Sequence, residues 1–136
     1  MPTIDFYVCS EHKIKACANW IEAAENFPCT GIYIPEQSAL TSLAGLLTGT
    51  STYQVTRLDG ITEPIYCLNI NISKAIDGTS YDEITDVAVK WASQPPWRNV
   101  NINPFDLAGF LVDLKSLWCG SREPQKSIFL WFQEET

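Results

Sequence analysis

The sequence predicts a single α/β or α+β domain with a mixed sheet of five or six strands and about four helices, in the order β-α-β-α-β-β-α-(short β)-α-β. Three observations predict it. Short runs are apolar on both faces, as interior strands require; longer runs carry apolar residues every three or four positions; and the two patterns alternate along the chain. At 136 residues the chain has the length of one domain, and folding at that size buries roughly two thirds of the unfolded surface, enough for a core without staples.

The elements follow in order. In TIDFYVC, residues 3–9, Ile4, Phe6 and Val8 fall on one side and Tyr7 and Cys9 on the other, which is an interior strand. From Glu11 to about Asn26, Ile14, Cys17, Ala18, Ile21 and Ala24 recur at helical spacing with Glu22 and Glu25 facing out, predicting one first helix. TGIYIP is a strand ended by Pro35, and Leu40, Leu43, Ala44 and Leu47 mark a second helix closed by Gly49. These first two strand–helix units are expected to run parallel, by the right-handed crossover rule.

TYQVTRLDGITEPIYCLNINIS predicts two strands about a turn at Asp59-Gly60. Ser80 and Glu83 have capping-box spacing ahead of Ile84, Val87, Ala88 and Trp91, a third helix that stops at Pro95-Pro96. In SQPPWRNVNINPFD, residues 93–106, Val100 and Ile102 alternate with Asn99, Asn101 and Asn103 as a short, half-buried edge strand. Asn103 is then an N-cap with Pro104 at the first helical position and Asp106 in the first turn. Leu107, Phe110, Leu111, Leu114 and Leu117 or Trp118 form the strongest helical stripe, ended by Gly120, and KSIFLWFQ is a last strand apolar on both faces.

Composition narrows the partners. The net charge is −7, and the chain has no run of Lys or Arg with which to release counterions from nucleic-acid phosphates. A basic protein partner is expected, with no direct nucleic-acid binding. The carboxylates are scattered, Asp82, Glu83 and Asp86 being the densest internal group, so they do not form the array that mimicry of DNA needs. Together 28 Ser, Thr and Asn outnumber 25 charged residues, giving a neutral-polar surface that desolvates readily. The opening MPTIDFYVCS has neither the basic region nor the apolar run of a secretory leader, and no apolar stretch reaches the roughly 20 residues that span a bilayer. The expectation is a cytosolic chain, off the membrane, with its five cysteines reduced.

No catalytic signature is complete. Cys9 falls at the end of a strand and just before a helix, where the dipole lowers a thiol pKa, and the single histidine, His12, is one turn on. A Cys9/His12 nucleophile–base pair is therefore the candidate catalytic arrangement, although the loop has no glycine to present amides to an oxyanion. Cys9, His12, Cys17, Cys29, Cys67 and Cys119 contain no Cys-x2-Cys pair, so neither a metal site nor thiol exchange is expected. LTGTST has one glycine and no following lysine, which leaves no phosphate loop and no expected cofactor.

Surface recognition is what remains. Trp97-Arg98, stiffened by the preceding di-proline, pairs the two residue types that dominate interface hot spots, and Asp82, Glu83 and Asp86 offer an acidic turn. The other reading of Trp97 is a lid folded back over the end of the core. The function expected is a non-enzymatic interaction module, an acidic inhibitor or immunity-type protein that occludes a basic surface; the alternative is a small enzyme using Cys9 and His12. A further alternative comes from a resemblance. TIDFYV, a helix, GIYIPEQSALTSLAGLL and then RLDG and EPIY are similar to the front part of the chi subunit of the bacterial replicative polymerase, over about half of the chain. This implies an adaptor with a nucleotide-binding-like fold that binds single-strand-binding protein. The Pro-His that the family carries after its Phe is replaced near Val55-Thr56, and the C-terminal half departs from the family.

Overall fold

Apolar groups on both faces of residues 3–9 require that strand to lie inside a sheet. The computed structural model, which describes residues 3–36, 38–49, 55–58 and 65–133, has it there. Strand β1 (Thr3–Cys9) lies between β2 (Cys29–Tyr33) and β5 (Ser127–Gln133). Beyond β5 come β4 (Ile65–Leu68) and then β3 (Val55–Arg57), so the five-stranded order is β2-β1-β5-β4-β3. Helices α1 (Glu11–Lys15) and α2 (Trp20–Asn26) connect β1 to β2, and α3 (Ser38–Thr48) precedes β3. Helices α4 (Ile70–Gly78), α5 (Tyr81–Ala92) and α6 (Pro104–Gly120) stand between β4 and β5. The α/β class and the outline of the element order are as the sequence predicts.

Alternation along β1 and β5 divides the interior in two. Ile4, Phe6, Val8, Ile128 and Leu130 pack with Leu40, Leu43, Ile72, Ile76, Leu111 and Leu114 of α3, α4 and α6. Tyr7, Cys9, Phe129 and Trp131 pack with Ile65, Leu58 and with Ile14 and Ala23 of α1 and α2. Helices therefore cover both faces of the sheet. At its β2 side the strands come close: Gly31 stands opposite Asp5, and a Cβ there would lie 2.8 Å from Asp5 Oδ1. Glycine lets β2 pair beside a buried carboxylate. Gly49, at φ 76, ends α3 in the left-handed conformation that glycine adopts without strain.

Three local expectations are corrected. The first two strand–helix units do not run parallel: β2 is antiparallel to β1, with Tyr7 opposite Cys29, and every neighbouring strand pair in the sheet is antiparallel. The cause is the connection. One helix from Glu11 to Asn26 would rise about 24 Å and carry the chain back along the strand. Instead it breaks: Ala16 N–H closes α1 onto Lys13 O, and Asn19 caps a new helix, its side chain accepting from Glu22 N–H. Two short helices fold the chain back to the end of β1 that it left, where only an antiparallel partner can start. The second correction is at NINIS, which is the beginning of α4 rather than the tail of a strand. The Asn69 side chain accepts the Asn71 N–H at 2.8 Å, and Ile72 and Ile76, one turn apart, are buried. Third, residues 99–102 form a run of turns and not an edge strand, with Val100 N–H donating to Trp97 O; Val100 and Ile102 still pack, half-buried, against the main core. The split and the added α4 give six α-helices among the described residues where about four were expected. The Asp59-Gly60 turn lies outside the described residues, although β3 and β4 pair as its hairpin would require.

Helix α6 holds the larger core together. Asn103 Oδ1 accepts from Phe105 N–H at 2.9 Å, Pro104 occupies the first helical position, and Leu107, Phe110, Leu111, Leu114 and Trp118 are buried. Two lysines close helix C-termini. Lys115, itself buried, donates from Nζ to Asp77 O (2.6 Å) and Ile76 O (3.3 Å) at the end of α4. Lys126 donates to Trp118 O (2.6 Å) and Ser121 O (3.1 Å) at the end of α6, with its ammonium 4.4 Å from the centre of the Trp118 ring. Both charges meet carbonyls at the negative end of a helix dipole, where cations are favoured.

Truncating this stripe tests the packing. Leu111→Ala and Leu114→Ala should each lower stability by about 2 to 5 kcal/mol in urea denaturation. Losses within about 0.5 kcal/mol, the range of surface substitutions, would mean that α6 is not a core helix.

Candidate functional site

Helix α5 and its connection to α6 carry the candidate partner-binding residues Asp82, Glu83, Asp86, Trp97 and Arg98, and the structure divides them. Helix α5 begins on a complete capping box: Glu83 N–H donates to Ser80 Oγ at 3.2 Å, and Ser80 N–H donates to Glu83 Oε1 at 3.4 Å. After α5 ends, Pro95–Trp97 makes one turn of 3-10 helix in which Trp97 N–H donates to Gln94 O at 3.0 Å. That turn folds Trp97 inward. Its side chain is only 1% exposed and stands edge-on to Trp91, with ring centroids 5.4 Å apart and planes at 86°. Trp97 is not held out toward solvent; the lid over the core is the geometry found, because a side chain on the inner side of a tight proline turn points back at the helix it follows. Arg98, the next residue, is exposed.

The aromatic that does project is Phe105, 74% exposed and the most exposed large apolar side chain among the described residues. Pro104 and the Asn103 cap fix its backbone, so it is displayed from the first turn of a helix and not from a loose loop. Along the sequence Asn103-Pro104 marks only a helix start, and Phe105 is not among the residues singled out there. A signal was present: Phe105 precedes Leu107 by two residues, about 200° around the helix and out of phase with the buried stripe. Phe105, Gly109 and Asp113 recur at intervals of four on the exposed side of α6, with Asp106 beside them. Gly109 leaves that face flat, since a Cβ there would meet nothing within 4 Å.

Asp82, Glu83 and Asp86 are exposed in the first turns of α5, and Glu83 is committed to the capping box. Helices α5 and α6 run antiparallel: Tyr81 OH lies 3.2 Å from Ser116 Oγ near the end of α6, while Trp91 meets Phe110 nearer its start. The acidic turn and the Arg98–Phe105 tip are thus separated by the length of α5, about 18 Å for a helix of 12 residues. Arg98 and Phe105 share one end of the hairpin, and Val89, 52% exposed, lies along α5 between the two ends.

Cys9 and His12 do not form a nucleophile–base pair of the expected kind. Cys9 is fully buried on the inner face of β1, whereas His12 is exposed on α1. Burial pushes the Cys9 thiol up to about 12; Cys17 and Glu123 nearby add to the rise, and Lys13 only partly opposes it. The dipole of a five-residue helix does not offset that desolvation. Cys17, Cys29, Cys67 and Cys119 are raised as well, in each case first by burial. On the same face Tyr7 OH is within hydrogen-bonding distance of Asp5 Oδ2 (3.2 Å) and Trp20 O (3.1 Å), and burial, followed by the Asp5 charge, raises its pKa too. Among the described residues no group of three or more His, Cys, Asp or Glu side chains is placed to hold a metal ion. None of the described helices is long and apolar enough to cross a membrane.

Comparison with known proteins finds no match to a family model, to a curated protein or to a solved structure.

The thiols give two testable outcomes. Under native conditions a thiol reagent should modify exposed Cys29 and Cys119 first and Cys9 last, with rates that climb only as pH approaches 9 and beyond; rapid modification of Cys9 at neutral pH would contradict the burial described. Because the folded pKa of Cys9 is raised from 9.0 to about 12, the stability linked to it is fully present below pH 9 and is lost as pH rises from there toward 12. Tyr7 acts in the same direction. Urea denaturation at about pH 7.5 and about pH 10.5 should therefore show an alkaline loss that Cys9→Ala reduces without abolishing.

Proposed function

We propose that this chain is a non-enzymatic protein-interaction module, an acidic inhibitor or immunity-type protein that covers a basic surface of its partner with the α5–α6 hairpin. The observation that carries the reading is Phe105, a large aromatic 74% exposed on a backbone fixed by a cap and a proline. Buried aromatic anchors supply most of the energy of typical interfaces, and an anchor that is already rigid loses little entropy on binding. Asp106 and Asp113 lie on the same side of α6, and Asp82 and Asp86 at the other end of the hairpin. With a net charge of −7, these carboxylates favour a Lys- or Arg-rich partner and speed its approach. Arg98 at the tip offers a planar donor fork to a carbonyl or carboxylate on the rim of that partner. A cytosolic setting, where all five thiols stay reduced, belongs to the same proposal.

The test compares variants in capture from the source organism, followed by binding with the purified partner. Phe105→Ala should weaken binding by about 2 kcal/mol or more, roughly thirtyfold, with unchanged thermal stability. Asp82→Asn with Asp86→Asn should slow association at low salt and matter less as salt rises. Glu25→Ala, on the far helix α2, serves as the control. A partner held equally well by Phe105→Ala and by wild type would move the interface off the hairpin tip.

A further inference from the structure

Between the end of β1 and the end of α6 the chain forms a cleft of about 500 Å3, within the range of small-molecule sites. Its walls come from separate parts of the sequence: Val8 and Lys13, the link into β2 at Phe27 and Pro28, the last turns of α6 at Leu117, and residues 121–123. Val8, Phe27, Pro28 and Leu117 make part of the lining apolar. The polar part is less balanced than its residues suggest. Glu123, the one carboxylate of the lining, is taken by Lys13, with Nζ and Oε1 2.6 Å apart. Arg122 is exposed and, among the described residues, has no ion-pair partner. Ser121 Oγ accepts the Glu123 N–H at 3.3 Å, which leaves its hydroxyl proton to donate elsewhere.

The wall that carries Arg122 is also tied down. Lys126 Nζ holds the carbonyls of Trp118 and Ser121 on either side of the helix end. The following turn passes through Gln125 at φ 54, a left-handed conformation unusual for glutamine, before β5 begins. A guanidinium on a fastened segment, beside an apolar surface, on a protein whose overall charge is −7, is arranged for one anionic group with a hydrocarbon body.

We infer that this cleft binds a small carboxylate with an apolar body, the carboxylate bridging Arg122 and the Ser121 hydroxyl and the body lying on Phe27, Pro28 and Leu117. Planar bidentate pairing suits a carboxylate to a guanidinium. An organic cation would meet Arg122 and Lys13 with the lone carboxylate already paired, and a multiply charged phosphate would find only one uncommitted cation. The inference is independent of the hairpin and of any protein partner.

The experiment is an amide NMR titration of the whole protein with sodium octanoate, with 1-octanol and octylammonium as matched neutral and cationic probes. Octanoate should give saturable shifts at Lys13, Phe27, Leu117, Ser121 and Arg122, and the other two probes should bind about tenfold more weakly or less. Arg122→Gln should weaken octanoate by about tenfold and leave octanol unchanged. Glu123→Gln, which frees Lys13, should tighten octanoate; this variant decides the matter if the spectrum of Arg122→Gln shows loss of fold. The inference is overturned by an absence of saturable shifts up to about 10 mM octanoate, by shifts centred away from these residues, or by octanoate affinity indifferent to both substitutions.

Discussion

The pairing of β1 with β5 is the constraint on which the rest of the structure depends. Thr3–Cys9 runs antiparallel to Ser127–Gln133, from Thr3 opposite Gln133 to Cys9 opposite Ser127, and buries side chains on both faces. Two strands from opposite ends of the described chain thus form the floor of both cores. Neither the α1–α2 layer nor the α3–α6 layer has a surface to pack on until this non-local contact exists. Its closure cost falls on the chain before local packing returns any of it, which places the fold among those that form more slowly than helical bundles.

The hairpin tip depends on a second contact, Trp91 with Trp97. Trp91 Nε1 donates to Ala39 O at 2.8 Å, fixing α5 to α3, and Trp97 stacks edge-on against its ring. The indole that sequence chemistry marks as an anchor for a partner therefore serves as the support beneath one. With Trp97 seated inside, the chain leaves the turn at Arg98 and reaches the Asn103 cap, and Phe105 comes out on the solvent side. The burial of Trp97 follows from that turn, and the exposure of Phe105 from its phase on α6.

The burial of Cys9 has a related cause. An interior strand must bury both faces, so the thiol at its end lies in the smaller core and keeps its proton at neutral pH. The antiparallel sheet likewise differs from the parallel arrangement of nucleotide-binding folds, so the fold expected from the similarity to the chi subunit is not the one formed. Two lysines are placed at helix ends that can receive them: Lys115 and Lys126 each close a C-terminus.

By itself the sequence determined the features that rest on neighbours within a turn or two. The Ser80–Glu83 box, the Asn103-Pro104 start, the α6 stripe and the two-faced strands at 3–9 and 127–133 all appear where their local patterns put them. Even the break before α2 was written locally, as Asn19 with Glu22 three residues on, but a continuous apolar spacing masked it. Tertiary structure alone decided the strand directions, because these depend on where a broken connection returns the chain and on which distant strand lies beside it. It also decided where Trp97 goes: the phase of Phe105 on α6 is legible along the chain, but the seat of Trp97 against Trp91 comes only from packing. The cleft belongs to the same class: Lys13 and Glu123 are 110 positions apart, and no pattern along the chain connects them.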